Sequence, residues 1–129
     1  MKKGESRFLI IPIGVYRLHV VVTWEASIKK IIQFLKHHHA KVSKNFADEF
    51  LENTQDAIGL CMRYSDDNPD LLVWLQDRPR KTSQYGTLYH ELYHAVDSIA
   101  ESRAMEDEVE SRAYVFEYLA TEANRKLRR

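Results

Sequence analysis

The stretch "YHELYHAVD", Tyr89 to Asp97, sets two histidines four positions apart with a glutamate directly after the first. On a helix, residues four apart lie one turn above the other on the same face, so His90 and His94 can both reach one ion. Zinc takes imidazole and carboxylate ligands in a roughly tetrahedral set, and a catalytic site keeps one position for water. Glu91, about 100° round the helix from His90, is placed to take a proton from that water. Such a set hydrolyses a peptide carbonyl with metal-activated water.

A third protein ligand is required, and the end of the chain is rich in glutamate: Glu106, Glu108, Glu110 and Glu117. If the chain reverses near Ser102, each arm from His94 and from Glu110 is eight residues, or about 12 Å of helix. Glu110 then returns to the level of His94. On a wheel it borders an apolar stripe of Val109, Ala113, Phe116, Ala120 and Leu127, and the small Ala113 allows close approach. Glu106 and Glu117 share that side as second choices, and Glu108 points elsewhere. Tyr114, one turn beyond Glu110, is a candidate to stabilise the oxyanion formed when water attacks a peptide carbonyl.

"HELYH" followed by "EDEVESRAYVFEYL" resembles the minimal gluzincin-type zincins, compact zinc metallopeptidase domains, several of them encoded by phages and prophages. The likeness covers about the last 45 residues by motif and the earlier strands only in order. It implies that His90, His94 and Glu110 ligate zinc, that Glu91 is the catalytic base and that the substrate is a protein or peptide. Metzincins carry glycine three residues and histidine six residues after the second motif histidine. Asp97 and Ala100 stand there, which excludes that branch. Larger gluzincins often place an acid four residues after the glutamate ligand, where this chain has Tyr114. Asp97 and Glu117 are the candidates for orienting a ligand histidine.

Other chemistry-bearing residues have plainer readings. His37, His38 and His39 cannot all face one ion from a regular helix, and they suit a helix C-terminus. His39 continues the apolar face of the helix before it. Cys61, the single cysteine, sits in an apolar run and reads as a small buried hydrophobe. Tyr85, Tyr89 and Tyr93 read as packing or interface residues.

The elements that must position these groups follow from periodicity. Tyr16, Leu18, Val20, Val22 and Trp24 alternate with Arg17, His19, Val21 and Thr23, which predicts a strand with one buried face. The preceding "FLIIPIGV" predicts a second extended piece, bent at Pro12 and Gly14. Ile28, Ile31, Ile32 and Leu35 predict a helix from a Ser27 cap to about Ala40. Residues 41–55 are ambiguous, with a short helix around Phe46, Phe50 and Leu51 as one reading. "AIGLCMRY" and "LLVWLQ", separated by "SDDNPD", predict a hairpin or neighbouring strands. Gly59 and Arg63 suit the first run to a sheet edge, and continuous apolarity suits the second to the centre. Helices then follow at about Tyr85 to Glu101 and Met105 to Leu127. On the first, Leu88, Leu92, Ala95, Val96 and Ile99 oppose His90, His94, Asp97 and Glu101.

The expected fold is α+β, a small twisted, mostly antiparallel sheet backed by helices. By the resemblance it is zincin-like, with the substrate pairing along a strand of the region Ala57 to Gln76. The 129 residues fit a single domain, 1–129. One cysteine supplies no disulfide framework, which points to a cytoplasmic setting. The opening apolar run is cut by Pro12 and is too short to span a membrane. With 19 basic and 19 acidic residues, the overall charge favours neither nucleic acid nor an anionic membrane as a partner. A zinc-dependent peptidase is therefore the leading expectation. A non-catalytic zinc-binding or protein-interaction module is the alternative, and a nucleic-acid-binding regulator has less support.

Overall fold

A computed structural model describes residues 7–103 and 109–128. Strand β1 (Phe8–Ile13) turns through a single 3-10 turn at Gly14–Tyr16 into β2 (Leu18–Trp24). Helices α1 (Ile28–His37) and α2 (Phe46–Thr54) follow, then β3 (Gly59–Arg63), β4 (Leu71–Leu75), α3 (Thr82–Ser102) and α4 (Val109–Leu127). Among the described residues the architecture is α+β, a four-stranded mixed sheet in the order β1-β2-β4-β3 with four helices. Its outer pairs are antiparallel, and the central pair β2 and β4 is parallel.

That parallel pair explains why both faces are covered. Parallel neighbours need a crossover, and here it carries α1 and α2 across one face. Val21, Leu72 and Tyr64 pack there against Ile31, Phe34, Leu35, Phe46 and Phe50. On the other face Val20, Val22 and Val73 meet Leu88, Leu92 and Ile99 of α3 and Leu119 and Ala123 of α4. The alternation from Tyr16 to Trp24 predicted one buried face, and the structure corrects this: Val21 and Thr23 are as buried as their neighbours. Tyr16 belongs to the 3-10 turn rather than to the strand.

Local signals set the helix ends. The Ser27 hydroxyl accepts from the Lys30 amide and caps α1. The helix ends at His37, before the expected Ala40. His39 N–H donates to the Lys36 carbonyl (3.0 Å) and Ala40 N–H to that of Leu35 (2.9 Å). This is a Schellman closure, with His39 in the left-handed position at φ 62°. His39 therefore leaves the helix and stands exposed instead of extending its apolar face.

The two sheet edges differ. Along β1 the Ile10 carbonyl accepts from Lys126 Nζ (2.9 Å) and the Pro12 carbonyl from Tyr118 Oη (2.7 Å), both donors coming from α4. Pro12 has no N–H to offer. β3 is the other edge. The Gln76 N–H donates to Ile58 O (3.0 Å), and the register pairs Leu60 with Trp74 and Met62 with Leu72. Hydrogen-bonded pairs alternate along an antiparallel ladder, so 58, 60 and 62 bond inward and Gly59, Cys61 and Arg63 turn their backbone groups outward. The placing of "LLVWLQ" at the centre and "AIGLCMRY" at an edge matches this order.

Candidate metal centre

The predicted wheel of α3 matches the structure: Leu88, Leu92, Ala95, Val96 and Ile99 are buried, while His90 and His94 stand exposed on the outer ridge. The helix has flanks of different character. On one side Tyr89 and Val96 meet α4, through a Tyr89 to Phe116 ring contact at 6.5 Å and an Asn124 Nδ2 to Tyr89 Oη bond at 2.6 Å. Asp97 pairs with Arg112 on this side, so its carboxylate is engaged there. On the other side Thr87 and Glu91 face β3.

The histidine pair is the centre of the site. His90 Nε2 and His94 Nε2 lie 3.2 Å apart, with ring centroids at 4.7 Å and nearly perpendicular planes. Two nitrogens sharing one tetrahedral zinc at about 2.0–2.1 Å each stand roughly 3.3 Å apart. The pair therefore fits a shared ion, and without one it fits a single hydrogen bond between the two rings.

Glu91 lies beneath them and is 7% exposed. Burial raises its carboxyl above the usual glutamate range, and the neighbouring His90 and His94 pull partly the other way. Burial makes a carboxylate a stronger base than it is in water, which suits Glu91 to proton transfer. Its side chain lies against Gly59, and a cavity of about 400 Å³ opens there between β3 and α3. Glu91, His94 and Ser98 line one wall, and Gly59, Cys61 and Arg63 the other. Burial, with a lesser contribution from the Glu91 charge, pushes the Cys61 thiol up to about 12. It stays protonated and behaves as the small hydrophobe expected from its setting.

The other predicted site residues lie elsewhere. The buried row of α4 is Val115, Leu119, Ala123 and Leu127, not the stripe through Val109 and Ala113, which are exposed. The helix is rotated from the expected orientation because it packs against the sheet as well as α3. Glu110, in its first turn, is exposed on the side away from that row, and Glu117 is exposed as well. Tyr114 is 68% exposed and lines a separate groove with Ile13, Val15, Tyr16 and Tyr118. Among the described residues no three His, Cys, Asp or Glu side chains gather closely enough to hold a metal. The structure thus brings His90, His94 and Glu91 together but does not bring Glu110 or Tyr114 to them. Glu106, Glu108 and the expected helix start at Met105 lie outside the described residues.

The edge position of β3 was legible in Gly59 and Arg63, but its close approach to Glu91 was not, although a glycine inside an apolar run marks such an approach. No family model, curated protein or solved structure matches the chain.

Proposed function

We propose that this chain is a small zinc-dependent peptidase that cleaves an amide bond in an extended polypeptide. The observation that carries the reading is the His90–His94 pair at 3.2 Å, above a buried Glu91 and beside the open edge of β3. His90 and His94 would hold the ion; Glu110 is proposed as the third protein ligand on spacing and resemblance, although the structure does not bring it beside them. Zinc bound there supplies Lewis acidity and a water of lowered pKa.

The chain's own groups do the rest. Glu91 takes a proton at its carboxylate and passes it to the leaving amine. Gly59, Cys61 and Arg63 offer outward backbone groups to which a substrate strand can pair, holding it along the cavity that Glu91 faces. Main-chain pairing makes such recognition tolerant of side chains. Tyr114 lines a separate groove, so its oxyanion role is proposed only on its spacing of one turn from Glu110.

The test is zinc content of protein purified without chelator, together with cleavage of an unstructured polypeptide by wild type and by Glu91→Gln. Zinc at one equivalent in both proteins, with cleavage only by wild type, is the expected result. Protein that holds no zinc and takes none up on titration excludes the reading. Glu110→Gln, measured in the same way, tests the third ligand separately.

A non-catalytic module is the second reading, favoured by the absence of a gathered third donor among the described residues. Zinc or peptide binding without turnover in wild type would select it.

A further inference from the structure

Charge that cancels over the whole chain is segregated in space. Between Glu25 and Asp48 there are five lysines, three histidines and no acid. The rest of a chain with 19 basic and 19 acidic residues therefore carries an excess of five acids. Lys29, Lys30, Lys36, Lys41 and Lys44 are all exposed, as are His37, His38 and His39. Around α1, Ile31, Phe34 and Leu35 face the core, and Lys29, Gln33, Lys36 and His37 form the opposite, outward face. Lys41 is 3.6 Å from Asp67 in an exposed pair. Lys29, Lys30, Lys36 and Lys44 make no ion pair among the described residues, and neither do Asp48, Glu49 and Glu52 on the adjacent α2.

We propose that the outward face of α1 and the following turn to Lys44 bind the phosphate backbone of duplex nucleic acid without reading its sequence. The charge complements a polyanion, and a convex helix presents it as a ridge. Lysine acts as a point charge on phosphate, whereas base reading uses planar forks. Arginine is absent between Glu25 and Asp48, and Gln33 is the one amide on the outer face of α1. A membrane surface fits less well. The apolar side of α1 is consumed by the core at Ile31, Phe34 and Leu35, which leaves no anchor to insert among lipids. The face lies across the sheet from α3, so a bound polyanion leaves the histidine pair and the β3 edge open. This inference stands apart from the peptidase reading and survives its failure.

Fluorescence anisotropy with a labelled duplex of about 30 base pairs, from about 50 mM salt upward, tests it. Binding should weaken linearly with salt on logarithmic axes, with a slope of about −4.5 for five neutralised phosphates. The double variant Lys29→Gln with Lys36→Gln should bind about tenfold more weakly and shed about two from that slope, with its melting temperature unchanged. No binding at low salt, or equal binding by the double variant, overturns the proposal. Tighter binding to phosphatidylserine vesicles than to the duplex also overturns it, because it would assign the face to a membrane.

Discussion

Gly59 and Glu91 touch so closely that no side chain fits between them. A Cβ added at Gly59 would stand 3.0 Å from Glu91 Oε2, 3.1 Å from its Cγ and 2.9 Å from Thr87 Cγ2. The edge strand is thereby pressed against the carboxylate proposed as the base, and the two walls of the cavity share one contact.

Gly59→Ala should displace Glu91 or lift the start of β3. Overpacking of this kind costs about 1–3 kcal/mol. The expected result is a folded, less stable protein that retains its histidine pair and therefore its zinc, with cleavage reduced about tenfold by misplacement of the base. Chemical denaturation, zinc analysis and a cleavage assay on one preparation separate the three effects.

Glu91→Gln should stabilise the metal-free protein at neutral pH. Burial raises the folded carboxyl above its unfolded value, so the native state binds more protons in the window that begins at the ordinary glutamate value near 4.5 and runs upward. Stability from this group is full below that window and is lost as pH rises through the folded value. Glutamine removes the loss. Melting temperatures of the two proteins in chelator should agree at low pH and diverge toward neutrality, with the variant higher.

Proline at positions 61 and 62 should have opposite structural effects. The Met62 N–H points into the ladder with β4, and proline there removes a hydrogen bond of the sheet and should destabilise the fold. The Cys61 N–H points outward, so Cys61→Pro should leave the sheet formed and impair peptide cleavage more than zinc binding. Circular dichroism checks the fold, and cleavage alongside zinc titration checks the edge. A folded Cys61→Pro protein with full activity would place the cleft elsewhere.

His39→Gly should raise stability by about 1 kcal/mol, because the left-handed backbone of the Schellman closure strains any residue with a Cβ. Urea denaturation at fixed pH measures the difference.

Much of this molecule follows from local pattern. The i, i+3, i+4 spacing of Ile28, Ile31, Ile32 and Leu35 makes a helix wherever that face is buried, and Ser27 caps it through its own hydroxyl. The spacing of His90 and His94 places both rings on one ridge of α3 once Leu88, Leu92 and Ile99 turn inward. The edge and centre assignments of β3 and β4 also follow from composition, because a strand buried on both faces cannot hold Arg63.

The rest depends on which elements meet, and sequence spacing carries no such information. Counting residues brings Glu110 level with His94, but the rotation of α4 depends on the sheet surface beneath Val115 and Leu119, and that packing turns Glu110 outward. The alternation in β2 shows one apolar face. The second was hidden because Val21 and Thr23 are covered by helices that arrive through a crossover. Gly59 resting on Glu91 joins residues 32 positions apart, a contact made only when β3 is docked against α3. Helical periodicity is a short-range property set by backbone geometry, whereas helix rotation and strand neighbours are chosen by the best burial available to the whole chain.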